Sequence, residues 1–474
     1  QIDFTKIREK AFEIAALLLY CDLELAINLV EQVSDNSASK NSLDYAFAYL
    51  TIFANEANRK SKSQVADLDL INSKIQNAEV KNITTALRFL TDEYTFQDLI
   101  SNIEILSNFN QKLFLLKNWI INNKTNKEVH HVIKYTLEEI IKASSENVPN
   151  ATSLAEISIP LPLIEEKEKI KELVELFDVQ RNTIDRPTKD YVKIQLNIAE
   201  ALLKISFEDA KERIFDIYIF ISDLVDLSIK TDCLSLLWVW LSKNDGEKKI
   251  ETLLSPNESI EFQTRKNIDL LLNETAFHFK MVEFVVINLA SNYPDFVIDT
   301  IDKLNTQQRR DYSFKIANEN YLRNKKISDL DFSIINKFHR KTISPLIKED
   351  IIIEVIDKFF FDKDDENIIH IPKILPYYEL ISKITKIGNK CYIITHAIKI
   401  LNREPEKYST KIELLKKELH ESWEKVDIHW EKIELAFHIA KDIAEYSEEE
   451  AKKYIKLATE LRASEVFSSN TSVE

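Results

Sequence analysis

The residues in this chain whose types could do chemistry are nine histidines, three cysteines and one dense run of acids. His130 and His131 are adjacent, so on a helix their side chains leave the axis about 100° apart and cannot chelate together. His420, His429 and His438 recur every nine residues, half a turn out of phase on one helix, and no H-E-x-x-H occurs. Cys21, Cys233 and Cys391 lie far apart in helical patterns, Cys21 at a hairpin turn. A sparse, odd set of this kind fits buried thiols in a reducing compartment. The acidic run "DKDDEN", Asp362 to Asn367, offers oxygen ligands. It lacks the glycine at position six and the bidentate glutamate at position twelve of a calcium loop, and reads as an acidic loop.

Glycine limits the chemistry further. The chain has two, Gly246 and Gly388, where average usage would give roughly thirty. Backbone that wraps a phosphate needs clustered glycines, so a Walker A loop, a dinucleotide fingerprint and a nucleophile elbow are all excluded. The expectation is a chain with no cofactor, no metal and no catalytic set of its own.

Net charge is −15, which argues against direct binding of nucleic acid. One stretch departs from this. Arg309 to Lys341 carries nine Lys or Arg against four acids, and is either a solvated helix face or a docking patch for an acidic partner. Arg309, Arg310, Arg323, Lys325 and Lys326 are its candidate partner-binding residues. Trp423 and Trp430, seven apart on one helical face, are candidates either for packing between hairpins or for anchoring a protein partner. Trp238 and Trp240 cannot share a helix face, which predicts one in the core and one half-exposed. No apolar run approaches the roughly 18 residues of a membrane span, and no signal-peptide pattern follows Gln1. The expected location is cytoplasmic, and the missing initiator Met predicts a fragment or a processed chain.

The elements that would position these residues are helices. In "KIELAFHIAKDIAEYSEEEAKKYIKLATEL", Lys432 to Leu461, Ala436, Ile439, Ala440 and Ile443 form one apolar stripe, and Ala451, Tyr454, Ile455 and Ala458 another. Ser447 between them is a good N-cap, followed by three glutamates where the helix dipole favours acids. The same pattern recurs at Lys10 to Val33, where Ala11, Phe12, Ile14 and Ala15 match Ala436, Phe437, Ile439 and Ala440. It recurs again at Ile194 to Ile217, around Ala199 and the cap Ser206, and more loosely at Val285 to Leu304, with Pro294 in a first helical turn. One small residue per helix lets paired helices approach. A hairpin alone cannot bury its stripe, so neighbours must stack. The fold class expected is all-α, an α-solenoid of stacked antiparallel helical hairpins, TPR-like in architecture.

Two stretches interrupt the rhythm. "KASSENVPNATS", Lys142 to Ser153, has loop composition, and the prolines that follow it predict no helix until about Glu165. Phe359 to Tyr378 is the second. Soft boundaries near 150 and 365 divide the chain into 1–150, 151–365 and 366–474.

Glu156 to Ile214 and Glu421 to Ala458 resemble the C-terminal helical-repeat region of bacterial antiviral STAND NTPases of the Avs type, and the scattered "A-x-x-I-A … D-x-E-x-A" hairpins are similar to its TPR-like repeats. The W-x-x-L-G-x-x-Y signature of ordinary TPRs is absent, so "TPR-like" describes architecture. The resemblance implies a sensor that binds a folded phage structural or packaging protein, such as the large terminase subunit or the portal. In the full-length protein that event drives self-oligomerisation and activates a fused effector. With no Walker motif, this chain would be the sensor portion alone. A generic scaffold, the small-inducer sensor of a STAND-type regulator, and an all-helical enzyme with a site inside a curved core are the alternatives.

Overall fold

The computed structural model describes residues 15 to 470 apart from 16–17, 20–22, 36–40, 61–66, 89–94, 107, 144–150, 182–187, 247–248, 274–284, 362–380, 382–383, 428 and 445–446. The fold is an all-α solenoid of antiparallel helical hairpins, with no strand among the described residues. No helix among them is long and apolar enough to cross a membrane.

Short polar side chains start the helices by accepting their free N–H groups. Ser206 accepts from the Asp209 N–H at 3.3 Å, and Asp226 from those of Ser228 and Ile229 at 2.8 and 3.0 Å. Ser447 accepts from Glu450 at 3.4 Å, and Thr95 forms a reciprocal capping box with Asp98. Pro294 sits in the first turn of the Pro294–Asp302 helix, where its missing N–H costs nothing. Ser206, Ser447 and Pro294 are turn positions read from the sequence; Asp226 and Thr95 add two more.

The chain divides into two compact units, residues 82–317 and residues 1–81 with 318–474. The boundaries expected near 150 and 365 fall outside the described residues. In the unit 82–317, four helices, Phe109–Asn122, Ala151–Ser158, Thr188–Leu202 and Leu227–Asn244, pack one against the next. Between them come the returning helices Val129–Lys142, Lys167–Arg181 and Phe207–Ser222, and Ile260–Asn273 follows the last. Leu116, Trp119, Ile133, Leu154, Leu161, Ile170, Ile198 and Ala210 belong to one continuous apolar cluster, so successive hairpins share a core that none could build alone.

Polar ties cross this stack at about one repeat of sequence. Asn197 donates to Ser158, 39 residues away, at 2.9 Å, and the Trp240 indole donates to the Leu196 carbonyl, 44 residues away, at 3.0 Å. Arg213 grips both carboxylate oxygens of Asp178, 35 residues away, at 2.8 Å each.

In the other unit, Pro345–Phe361, Ile387–Leu401 and His429–Ala444 pack in succession, with Pro405–Glu424 and Glu448–Asn470 as the returning helices. Ala436, Ile439, Ala440 and Ile443 are all buried, as are Ala451, Tyr454 and Ala458. Earlier in the chain, Leu23–Asp35, Asn41–Lys60 and Leu68–Ser73 pack consecutively, and Asp44 accepts the N–H groups of Gln76 and Asn77.

The structure corrects three expectations. Helix begins at Ala151, within the stretch read as a loop, and runs to Ser158 before Pro160 ends it. This short helix supplies the first half of a repeat. The Pro345–Phe361 helix continues through the start of the second interruption, whose remainder, with Asp362 to Asn367, lies outside the described residues. Trp238 and Trp240 are both buried, 4% exposed each, because their helix is covered on two sides. Trp238 stacks on Tyr293 with ring centroids 4.1 Å apart, while Trp240 turns to the preceding Thr188–Leu202 helix.

Candidate functional site

Three successive helices of the unit 82–317 each turn one stripe to a shared groove of about 340 Å³. Thr152, Ala155 and Glu156 lie on the first, with Ile159 just past its end. Asp190, Lys193, Asn197 and Glu200 lie on the second, and Leu236, Val239, Trp240 and Lys243 on the third. The first and third sets follow the i, i+3, i+4, i+7 spacing of a single helix face. On the middle helix the opposite face, with Val192, Ile194, Ile198, Ala199 and Ala201, is buried and holds the groove side in place.

The third helix is the apolar wall: Leu236 and Val239 are half-buried, and Trp240 packs beneath them. Facing it are groups of both signs. Asp190 accepts the Thr152 hydroxyl at 2.7 Å and lies 3.5 Å from the Lys193 ammonium. Glu156 is 2.8 Å from the Lys117 ammonium. Lys243 is exposed and Glu200 half-buried at the end of the groove formed by the last turns of their helices. An apolar strip edged by acids and lysines suits a segment of protein surface, which offers an apolar side chain flanked by hydrogen-bonding and charged groups.

Neither described cysteine is an activated thiol. Cys233 and Cys391 are fully buried, and burial pushes each thiol up to about 12, far from the thiolate form. Cys21 lies outside the described residues. Among the described residues no three His, Cys, Asp or Glu side chains are grouped to hold a metal ion. His130 and His131 do meet, with ring centroids 3.7 Å apart, although adjacent positions leave the helix in different directions. His130 is buried with Nδ1 against the Lys127 carbonyl at 3.0 Å, and burial and His131 lower its pKa.

Arg309, Arg310 and Arg323 lie on one helix, Gln307–Arg323, with Lys325 and Lys326 just after its end. Arg310 is tied into the fold, donating to the Leu304 carbonyl at 2.6 Å and to Gln307 at 2.9 Å. Arg309 reaches Asn305 at 3.4 Å. Arg323 is exposed and paired with Glu319, Lys325 is half-buried and Lys326 exposed. Trp423 is 2% exposed; it donates to the Lys432 carbonyl at 3.0 Å and takes the Lys432 ammonium over its ring at 4.6 Å. It therefore packs between hairpins. The Trp430 side chain lies outside the described residues. The groove escaped the sequence reading because its stripe of Asp, Lys, Asn and Glu looks like any solvated helix face.

No known family model matches this chain, and no curated protein matches it.

Proposed function

We propose that the chain is a protein-recognition region, the target-reading portion of an antiviral STAND NTPase, and that its target is a folded phage structural or packaging protein such as the large terminase subunit or the portal. The observation that carries the recognition reading is the groove across three stacked helices, with an apolar wall and fixed charges of both signs. The phage target and the STAND context rest on the resemblance of Glu156 to Ile214 and Glu421 to Ala458 to that sensor region. A target read along successive hairpins would bury roughly 2,000 Å² or more. Self-oligomerisation and the effector response belong to the parts that such a protein carries outside this region.

The groove volume also falls at the lower end of small-ligand pockets. That keeps a small-inducer sensor as the second reading. A pull-down with purified terminase and portal subunits tests the choice. Recovery of one of them in a stable complex is the expected result. Recovery of neither, with a small molecule raising the melting temperature, would favour the inducer sensor. In the same assay, charge reversal at Lys325 and Lys326 should lower the salt dependence of binding if they face an acidic target. Arg310 should not be used for this purpose, because its loss frees the Leu304 carbonyl.

A further inference from the structure

The unit formed by 1–81 and 318–474 contains a buried cluster that recognition does not use. His396, 2% exposed, lies on Ile387–Leu401 between two helices that pack against it. Its Nδ1 is 2.8 Å from Asp357 Oδ1 on Pro345–Phe361, and its Nε2 is 3.5 Å from Asp442 Oδ2 on His429–Ala444. The three residues sit 39 and 46 positions apart, one repeat each. A neutral imidazole has one N–H and one lone pair, so it would turn a lone pair toward one of the carboxylates. Only the imidazolium donates to both.

We propose that Asp357, His396 and Asp442 form a charged lock that fixes the register of three successive hairpins and releases when the imidazolium loses its proton. The surrounding groups fit this charge arrangement. Tyr392, on the same helix, lays its ring 4.0 Å from His396, and burial with the two carboxylates raises its pKa, keeping it neutral. Lys399 on the middle helix and Lys441 on the third add positive potential at Asp442. From Pro405–Glu424, Glu418 is engaged by Lys390, six residues from His396. Burial alone would lower the His396 pKa, but Asp357 and Asp442 outweigh it and the pKa is raised. Burial would raise that of Asp442, but His396 outweighs it and the pKa is lowered.

The signs fix the pH window. A histidine pKa raised on folding contributes stability that is full below the ordinary value of about 6.5 and lost as pH rises through the folded value. A carboxylate pKa lowered on folding contributes stability that is present above about 3.9 and lost as pH falls through the folded value. The lock is thus closed between the ordinary carboxylate and histidine values and opens as pH rises through the raised histidine value.

The test is histidine NMR on the full chain carrying labelled imidazole carbon, with the signal assigned by His396→Gln. The expected result is a ring that titrates above the ordinary histidine value of about 6.5. A titration at or below that value would overturn the proposal. Asp442→Asn, which keeps the volume and removes one charge, should move the titration toward the ordinary value; an unmoved titration would also overturn it. Hydrogen exchange, corrected for its intrinsic pH dependence, should accelerate on the order of tenfold in all three helices together as the ring deprotonates. Unchanged protection across that titration would show that the cluster locks nothing.

Discussion

Replacing Trp423 by alanine is expected to destabilise its unit by about 3–5 kcal/mol, the range for deleting a buried large aromatic. Trp423 ends the Pro405–Glu424 helix and touches both helices of the next hairpin. Its indole donates to the Lys432 carbonyl on His429–Ala444, and the Tyr454 ring on Glu448–Asn470 meets it edge-on at 5.9 Å. Alanine removes the packing and the indole hydrogen bond to the Lys432 carbonyl. Folded domains hold only about 5–15 kcal/mol in all, so the loss is a large fraction of the total. Trp423→Phe keeps a ring and loses the donor, and should cost about 0.5–1.5 kcal/mol, the net worth of one hydrogen bond, because the Lys432 carbonyl keeps its place in the helix. Urea unfolding followed by hydrogen exchange of these helices measures both. A Trp423→Ala chain with an unchanged midpoint would show that the residue is not a packing element.

The second large effect is on binding. Asn197→Arg with Val239→Glu places two long charged side chains on the middle and third helices that line the groove. Both parent residues are half-buried, and Asn197→Arg also removes the tie to the buried Ser158 hydroxyl, so Val239→Glu alone is measured beside the double variant, with a thermal melt of each to separate lost binding from lost folding. If the groove seats a hot spot of the target, affinity should fall by about 30-fold or more, the equivalent of about 2 kcal/mol. Titration calorimetry of the parent and the double variant against the recovered target gives the comparison. Equal affinity would mean that the target is held elsewhere.

Much of the architecture was legible in the sequence because caps and stripes are local. Ser206, Ser447 and Pro294 begin helices for reasons contained within four residues, and Ala199, Ala436 and Ala440 are buried where one small residue per helix was required. What crosses from one hairpin to the next was not legible. Trp240 is buried because a helix 44 residues earlier offers the Leu196 carbonyl, and no local pattern encodes that neighbour. His396 reads as one of several scattered histidines until the stack brings Asp357 and Asp442 to its two nitrogens. The groove has the same origin: two largely polar faces and one apolar face come to line a common groove by stacking. The short Ala151–Ser158 helix was hidden by the prolines that end it.

The claim that the stacked helices read a folded protein is tested most directly by a hydrogen-exchange footprint of the full chain, free and bound to the target recovered in the pull-down. Helical amides are protected by target contact through reduced opening of the helices that the target covers. The account predicts added protection in 151–159, 188–202 and 227–244 together, lost in the Asn197→Arg, Val239→Glu chain. A bound target that leaves these three segments unchanged and protects only the returning helices 207–222 and 260–273 would contradict it.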